Sequence, residues 1–392
     1  MSTPLYVALI GQKFMGRAHS NAWGQANRFF ELPRTAVLDT IAARNAAELE
    51  PFARRWGWRR WTADWRTLCE DETVELVDVG TSNDVHAEQA IALLESGKHV
   101  ACEKPLAGTL ADARAMRDAA KKRRKQKTFV WYNYRRCPAL ALAWQLVREG
   151  RLGRIYHVRA TYLQSWGGPE TPLLWRFRKK QAGSGAHGDL NAHIVDMARF
   201  LVGEEISEVH GAIARTFITE RALPSSHASL SGKGSARKGR SDVDDAVLFL
   251  ASFAGGATAS FEATRLATGR QNANSIELNG ERGALRFEFE SMNELLFFDN
   301  TLEPRTAGWR RIMCTSSAGR HPYAANWWPD AHVLGYEHGF VNMAADILRV
   351  LGGEEPLVPL PDFADAYETQ RVLEAALISA RERCAIQLKT VK

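Results

Sequence analysis

Residues 5–16 read LYVALIGQKFMG, an apolar run followed by a turn with a glycine at each end. The run predicts a buried strand, and the turn leads into a predicted helix that extends to about residue 27. Gly11 suits a tight turn, and Gly16 suits close packing of the helix on the strand. Lys13 occupies the place of the middle glycine in the G-x-G-x-x-G pattern. The stretch is therefore either a dinucleotide-binding turn with an altered fit or a purely structural turn.

Short apolar runs alternate with helical patterns as far as residue 135. Strands are predicted over residues 5–11, 36–43, 75–83, 99–105 and 128–135, with helices between them. This alternation indicates βαβ units with right-handed crossovers and a parallel sheet. The predicted first domain, residues 1–135, is a Rossmann dinucleotide-binding domain.

Residues 136–392 have a different rhythm, with many strand-like runs and few helices. Turns at 253–257 and 279–284 predict hairpins. Helices are predicted at 139–149, 187–202, 338–351 and 362–384, the last two able to pack back on the first domain. The Ser/Gly/Lys-rich segment 224–242 is predicted to be a mobile surface loop. The fold class is therefore α/β, a parallel Rossmann sheet followed by an α+β domain with a large open, mostly antiparallel sheet.

The composition of the 392 residues narrows the class of protein. The formal net charge of +6 resides largely in the basic runs 121–127 and 232–240, which are typical of solvated helix ends and loops. Without a recognition module, these runs do not favour nucleic-acid binding. Five scattered cysteines without a C-x-x-C pair argue against disulfides and zinc. No signal sequence or membrane span is evident, so we expect a cytoplasmic protein.

Two positions bear on the choice of cofactor. At the end of the second strand, NAD-binding proteins usually carry a carboxylate for the ribose, but this chain has Arg44 and Asn45. Arg44 suits an adenine or a 2′-phosphate, and Asn45 suits a ribose hydroxyl. Alternatively, Asn45 simply caps the next helix. The choice between NAD and NADP stays open.

Polar residues follow the third and fourth predicted strands, as TSNDVH (81–86) and EKP (103–105). Ligands of open α/β sheets bind at this edge. Lys104 can then serve as a general acid or base beside a nicotinamide. The alternative is an exposed lysine that precedes a helix.

The second half contains GSGAHGDLNAHIVD (183–196). On a helix, Asp189 and His193 share one face, and Asp196 follows one turn later. A carboxylate can orient an imidazole for proton transfer, although such a pair is also common on polar helix faces. No further His, Asp or Glu set completes a metal site. His187 either reaches a pocket or caps the helix.

The segments GKHVACEKPLAGT (97–109), TSNDVHAEQAI (81–91) and GSGAHGDLNAHIVDMARFLVG (183–203) resemble the glucose–fructose oxidoreductase/inositol dehydrogenase/MocA-like family over nearly the whole chain. Within it, FMGRAHS and NYRR are similar to the levoglucosan dehydrogenase-like members. The resemblance implies a Rossmann domain and a second domain whose open sheet forms one wall of the active site. That sheet often forms an oligomer interface as well.

The resemblance also implies roles for individual residues. Lys104 matches the catalytic lysine, and Asp189 and His193 match the aspartate and histidine of the second domain. Positions expected to contact the cofactor are Gly11, Lys13, Phe14, Met15, Gly16, Arg44, Asn45, Ser82, Asn83, His86, Glu103, Lys104, Asn133, Trp175 and Arg176. Candidate substrate contacts, from aromatic faces and hydroxyl-binding groups, are Tyr134, Arg135, Trp166, His187 and Tyr336.

The reaction expected from these residues is hydride transfer between NAD or NADP and a carbinol or keto carbon of a sugar, anhydrosugar or polyol. Either Lys104 or His193 would relay the proton. Two alternatives are a redox-assisted glycoside lyase or hydrolase with tightly held NAD, and a non-catalytic sensor of cofactor or sugar. The apolar open sheet must be covered, so a homodimer or homotetramer is expected.

Overall fold

The computed structural model describes residues 2–225 and 234–392. Its first sheet has six strands, all parallel, in the order β3-β2-β1-β4-β5-β6. These strands are β1 (Thr3–Ile10), β2 (Arg34–Ala42), β3 (Arg60–Thr62), β4 (Leu76–Val79), β5 (His99–Cys102) and β6 (Thr128–Val130). β4 is buried along its whole length, as expected for a parallel strand covered on both faces.

The second sheet has nine strands in the order β16-β15-β14-β13-β7-β12-β11-β8-β17, and only the β7–β12 pair is parallel. A separate two-stranded ribbon pairs β9 with β10. The strands are β7 (Ile155–Leu163), β8 (Ile206–Arg215), β9 (Glu220–Pro224), β10 (Gly234–Arg240), β11 (Ala246–Phe253), β12 (Thr258–Thr264), β13 (Ala273–Gly280), β14 (Gly283–Glu288), β15 (Glu294–Asp299), β16 (Trp309–Met313) and β17 (Ile386–Gln387).

The α-helices flank these sheets. They are α1 (Phe14–Phe29), α2 (Ala46–Trp56), α3 (Thr67–Glu70), α4 (His86–Glu95), α5 (Leu110–Lys122), α6 (Pro138–Arg148), α7 (Lys179–Ala182), α8 (Ala192–Val202), α9 (Tyr336–Leu351) and α10 (Phe363–Glu382). α1 buries a polar as well as an apolar stripe, because His19 and Ser20 lie on the same buried face as Trp23. Among the described residues, no helix has the length and apolar character needed to cross a lipid bilayer.

The chain divides into two compact units. The first consists of Met1–Ala107, Ala111–Pro138 and Thr315–Tyr367, and the second of Gly108–Leu110, Ala139–Cys314 and Glu368–Lys392. In the second unit, α8 packs on β7 and β13. The opposite face of this sheet exposes Ile213, Leu248 and Leu250.

The two edge strands of the nine-stranded sheet differ in length and charge. One edge strand, β17, has two residues. The other, β16, carries Arg310, which lies 3.3 Å from Asp299, and Arg311, which lies 3.3 Å from Glu294. The arginines of β16 are therefore paired with carboxylates of β15.

The predicted fold class is confirmed, as are both hairpins: Phe253 N–H donates to Ala257 O at 2.8 Å, and β13 pairs with β14 across the second turn. Three details differ. β3 is an additional parallel strand, and β6 ends at Val130 and is followed by a 3₁₀ turn over Asn133–Arg136. Within the predicted loop 224–242, Gly234–Arg240 form β10, and residues 226–233 lie outside the described residues.

Candidate functional site

The glycine turn after β1 leaves no space for side chains at two positions. Gly11 has a φ of +127°, and its N–H donates to Ala42 O at 2.9 Å. A Cβ on Gly11 would lie 2.6 Å from Gly80 O, and one on Gly16 would lie 2.4 Å from Gly11 O. The turn leads directly into α1, whose first amides have no partner within the helix. This arrangement fits the pyrophosphate of a dinucleotide.

The side chain of Lys13 is engaged by the next βα unit. Its Nζ lies 2.7 Å from Glu48 Oε2, and Gln12 Nε2 donates to the same oxygen at 3.0 Å. Glu48 lies in the first turn of α2. Asn45 occupies the N-cap position of α2, but its side chain makes no capping hydrogen bond. The sequence therefore located the polar residues after β2 but missed Glu48, the carboxylate among them.

The segment after β4 contains one part that is exposed to solvent and one part that is buried. Ser82 Oγ donates to Asp84 Oδ1 at 2.6 Å near the surface. His86 is fully buried, with Nδ1 3.2 Å from Pro105 O and Nε2 3.2 Å from Thr81 O. Burial lowers the pKa of His86 despite these carbonyls. The His86 ring thus joins two backbone segments, and its contact with the cofactor stays a prediction.

A buried polar cluster lies at the carboxyl end of β5. His19 Nδ1 is 3.0 Å from Asp78 Oδ2, and His19 Nε2 is 3.0 Å from Glu103 Oε1. The other oxygen of Glu103 accepts the backbone N–H of Lys104 at 3.0 Å. Lys104 itself is half-buried. Sequence reasoning missed His19, although its place on the buried stripe of α1 was a readable signal.

In the second unit, a π-helical turn over His187–Asn191 precedes α8, and Ala192 N–H donates to His187 O. Asp244 holds the entry to this turn, because its two carboxylate oxygens accept the N–H groups of Gly185 at 2.8 Å and His187 at 2.7 Å. π-Helical turns inside α-helices are frequent at functional sites.

Asp189, on the π-helical turn, forms an ion pair with Arg265. Arg265 Nη2 donates to Asp189 Oδ2 at 2.8 Å and to Gly185 O at 3.1 Å, and Nη1 donates to Arg176 O at 3.3 Å. Sequence reasoning missed Arg265. Its signal was the period of two in β12, which places Arg265 in phase with the buried residues Phe261 and Ala263.

His193 is buried, and its ring lies 5.8 Å from that of Tyr162. Tyr162 belongs to a polar row along β7 and β13. Three hydrogen bonds link the row: Tyr162 Oη to Asn272 Oδ1 at 2.8 Å, Gln164 Nε2 to the same oxygen at 2.7 Å, and Trp166 Nε1 to Gln164 Oε1 at 2.6 Å. Asn274, opposite Tyr162 in register, is fully buried, and its side-chain amide has no hydrogen-bond partner in the described part of the chain.

Several predicted substrate contacts are located elsewhere. His187 is fully buried, with Nε2 2.8 Å from Leu373 O and Nδ1 2.9 Å from Asn191 Nδ2, so the imidazole serves the internal packing of the second unit. Arg135 is buried in an ion pair of 2.6 Å with Asp365. Both side chains therefore have internal partners, and their contact with substrate stays a prediction.

The remaining predicted residues fall into two groups. In the first unit, Asn133 and Tyr134 are buried, and the ring of Tyr336 stacks on that of Phe14 at 6.3 Å beside the glycine turn. In the second unit, Trp166, Trp175 and Arg176 are half-buried, and the Arg176 guanidinium lies 4.6 Å from the ring centre of Trp175.

The Rossmann sheet with its glycine turn and the second, open sheet define the class of protein. The chain belongs to the GFO/IDH/MocA oxidoreductase family: the family's NAD-binding Rossmann-fold profile matches residues 5–132, and its C-terminal-domain profile matches residues 140–286. The chain is thus an NAD-binding oxidoreductase.

Individual relatives resemble the whole chain. The levoglucosan dehydrogenase of Pseudarthrobacter phenanthrenivorans is 40% identical over 395 residues, which cover 99% of each chain. An oxidoreductase domain protein from Kribbella flavida has 48% identity and a TM-score of 0.92, covering 99% of this chain and 100% of its own. A levoglucosan dehydrogenase solved with NADH and L-sorbose has 40% identity and a TM-score of 0.91, covering 98% of this chain and 99% of its own.

Proposed function

We propose that the chain transfers a hydride reversibly between a nicotinamide cofactor and a hydroxyl-bearing carbon of a sugar, anhydrosugar or polyol. The observation that carries the proposal is the glycine turn, where Gly11 and Gly16 leave no space for a Cβ. The sugar class is supported by the full-length similarity to levoglucosan dehydrogenase, which has been solved with NADH and L-sorbose.

The cofactor, when bound, accepts or donates the hydride. Gly11, Phe14, Met15 and Gly16 would hold its pyrophosphate through the amides at the start of α1. Ser82, Asn83, Glu103 and Asn133 are proposed as further cofactor contacts, together with Lys13, Arg44, Asn45, Trp175 and Arg176. NADH is the cofactor in the solved levoglucosan dehydrogenase complexes, and we propose NAD as the preferred form here.

The chain's own residues would move the proton. Lys104 and His193 are the two candidate carriers, and the one that acts as base in oxidation acts as acid in reduction. Asp189, fixed by Arg265, would orient a sugar hydroxyl or the His193 ring. Because Arg265 restrains the carboxylate in advance, little ordering remains for the reaction itself.

The polar row of Tyr162, Gln164, Trp166, Asn272 and Asn274 would provide the sugar contacts of the second unit. Phenol and amide groups suit hydroxyls, and the half-buried rings of Trp166 and Trp175 suit the apolar face of a pyranose. Tyr134 and Tyr336 would contribute from the first unit. Tyr162, Gln164, Asn272 and Asn274 are proposed from the structure alone, in addition to Trp166.

The test begins with fluorescence titration of the protein with NADH and with NADPH, followed by NAD⁺ reduction with levoglucosan and other sugars. Lys104→Met is expected to keep cofactor affinity within about twofold while turnover falls by about 10²-fold or more. Lys127→Met, at an exposed lysine of the same unit, is the control. Full turnover of Lys104→Met would refute the role of Lys104.

The same assay separates the alternatives. A redox-assisted lyase or hydrolase would form product without a net change in cofactor absorbance, and a sensor would bind cofactor or sugar without turnover. Absence of binding to both cofactors would refute the proposal itself.

We also propose that the protein is a homodimer or homotetramer in which a second copy covers the open sheet. Leu248 and Ile213 face each other across β11 and β8, and Leu250 on the same face is 57% exposed. A groove of about 540 Å³ runs along this face. In light-scattering measurements, Leu250→Asp is expected to lower the mass, whereas Leu302→Asp, at an exposed leucine that follows β15, is expected to leave it unchanged.

The five cysteines are all free thiols, which supports a cytoplasmic, reducing compartment as part of the proposal.

A further inference from the structure

His19 is a buried titratable residue with no role in the reaction described above. It lies in the middle of α1, the helix that follows the glycine turn, and is completely enclosed. Its two ring nitrogens each lie 3.0 Å from a carboxylate oxygen, one of Asp78 at the end of β4 and one of Glu103 after β5. A single imidazole therefore joins three elements of the Rossmann sheet at its ligand-binding edge.

Two indole donors surround Asp78. Trp23 Nε1 donates to Asp78 Oδ2 at 2.7 Å, and Trp131 Nε1 donates to Asp78 Oδ1 at 2.8 Å. Indole N–H groups only donate, so both oxygens of Asp78 act as acceptors. An N–H on His19 Nδ1 complements the nearer of these oxygens.

The second ring nitrogen faces Glu103, whose other oxygen already accepts the N–H of Lys104. A neutral imidazole has one N–H and satisfies one carboxylate; an imidazolium satisfies both with charge-assisted hydrogen bonds. The geometry thus favours a positive ring between the two acidic side chains.

The electrostatic surroundings agree with the geometry. Burial by itself lowers the pKa of His19, but the charges and hydrogen bonds of Asp78 and Glu103 outweigh burial and raise the pKa to about 9. Further titratable groups beside this cluster are Cys102 of β5 and His86 of α4, which both interact with Glu103, and Lys104, whose backbone N–H Glu103 accepts. The rings of Trp131 and Phe340 cover the imidazole at 4.2 and 5.7 Å and exclude water.

On the basis of the proposed function, we infer that His19 is a positioning residue for hydride transfer, which acts through Glu103 on the backbone of Lys104. The bonds run without a gap from α1 through the imidazole and the Glu103 carboxylate to the Lys104 N–H. The helix that would hold the pyrophosphate and the residue that would move the proton are thereby fixed to each other. Small displacements of reacting groups slow the reaction, so a link that prevents such displacements is expected to increase the rate.

The kinetic test uses His19→Gln, which keeps most of the volume and offers one donor nitrogen and one acceptor oxygen but carries no charge. We expect kcat to fall by about 10- to 100-fold with KM for the sugar nearly unchanged. Asn27→Ala is the matched control, because Asn27 lies on the same helix and its amide bonds only the backbone of Ala36. The control is expected to lose stability without losing kcat. An unchanged kcat in His19→Gln, with an active wild type, would overturn the inference alone; an inactive wild type would refute the proposed function instead.

A spectroscopic test needs no variant. In protein labelled with ¹⁵N at histidine and lysine, the His19 ring is expected to be doubly protonated at pH 8. The backbone amide of Lys104 is expected to shift with the same midpoint as the ring, near pH 9. A neutral ring at pH 8, or a Lys104 amide that does not follow the ring, would overturn the inference whether or not the enzyme is active.

Discussion

Arg265 and Asp189 form an ion pair of 2.8 Å between the residue that follows β12 and the π-helical turn before α8. The same guanidinium reaches the carbonyl oxygens of Gly185 and Arg176. One buried side chain thus joins the end of β12 to two segments that carry candidate site residues. A buried arginine at this position fixes the relative positions of several acceptors, because its planar guanidinium donates to all of them at once.

Arg265→Met is expected to lower the free energy of unfolding by about 3 kcal/mol, because it removes the ion pair from a mostly buried carboxylate. The Asp189 side chain is 23% exposed, so water compensates only in part. Arg265→Lys retains the charge but not the fork and is expected to lose less. Urea unfolding measures both variants. Equal stability of Arg265→Met and wild type would show that the pair contributes nothing to folding.

The stability of the protein is expected to decrease between about pH 6.5 and 9. The pKa of His19 is raised from 6.5 to about 9 by folding, so its contribution is fully present below pH 6.5 and is lost as the pH rises through 9. The loss amounts to roughly 3 kcal/mol. Urea titrations at several pH values, with His19→Gln as the reference, isolate this contribution. If the free energy of unfolding changes with pH by the same amount in both proteins, His19 is not the source of the pH dependence.

Glu48→Gln is expected to increase affinity for NADPH about fivefold and to change NADH affinity less. Glu48 pairs with Lys13 and would repel a 2′-phosphate, so its removal frees an ammonium and removes a negative charge near the end of β2. The effect is modest because the pair is solvent-exposed. Glu50→Gln on the same helix, where Glu50 pairs with Arg54, is the control. Fluorescence titration gives both affinities, and a falling NADPH affinity would contradict this explanation.

Asn274→Leu is expected to raise the free energy of unfolding by about 1 kcal/mol, because it removes a fully buried amide that no described residue satisfies. Asn279→Leu, on the same strand, is expected to lose stability, since its amide bonds Glu277 and Arg159. Thermal unfolding compares the two. If Asn274→Leu is less stable than wild type, an ordered water satisfies the Asn274 side chain in the wild type, and the polar row contains bound water.

The sequence was most informative where structure follows from local pattern. The glycine turn, the hairpins and the alternation of strands and helices are all determined by neighbouring residues. β3 was missed because Arg60–Thr62 are largely exposed and give no apolar signal. The direction of the His187 side chain was not readable from the sequence, because the path of the π-helical turn depends on Asp244, which is 57 residues away. The burial of Arg265 and of His19 was readable from periodicity, but their partners were not. Asp189 is 76 residues from Arg265, and the partners of His19 are 59 and 84 residues away.

The unequal surfaces of the nine-stranded sheet restrict how copies of the chain can assemble. Its edges end in a two-residue strand and in a strand that carries charged side chains, two features that are typical of edges protected against strand addition. The proposed association would therefore use the broad face, where a two-fold contact would close on itself. Such a closed contact would not propagate into the open-ended growth that leads to fibres.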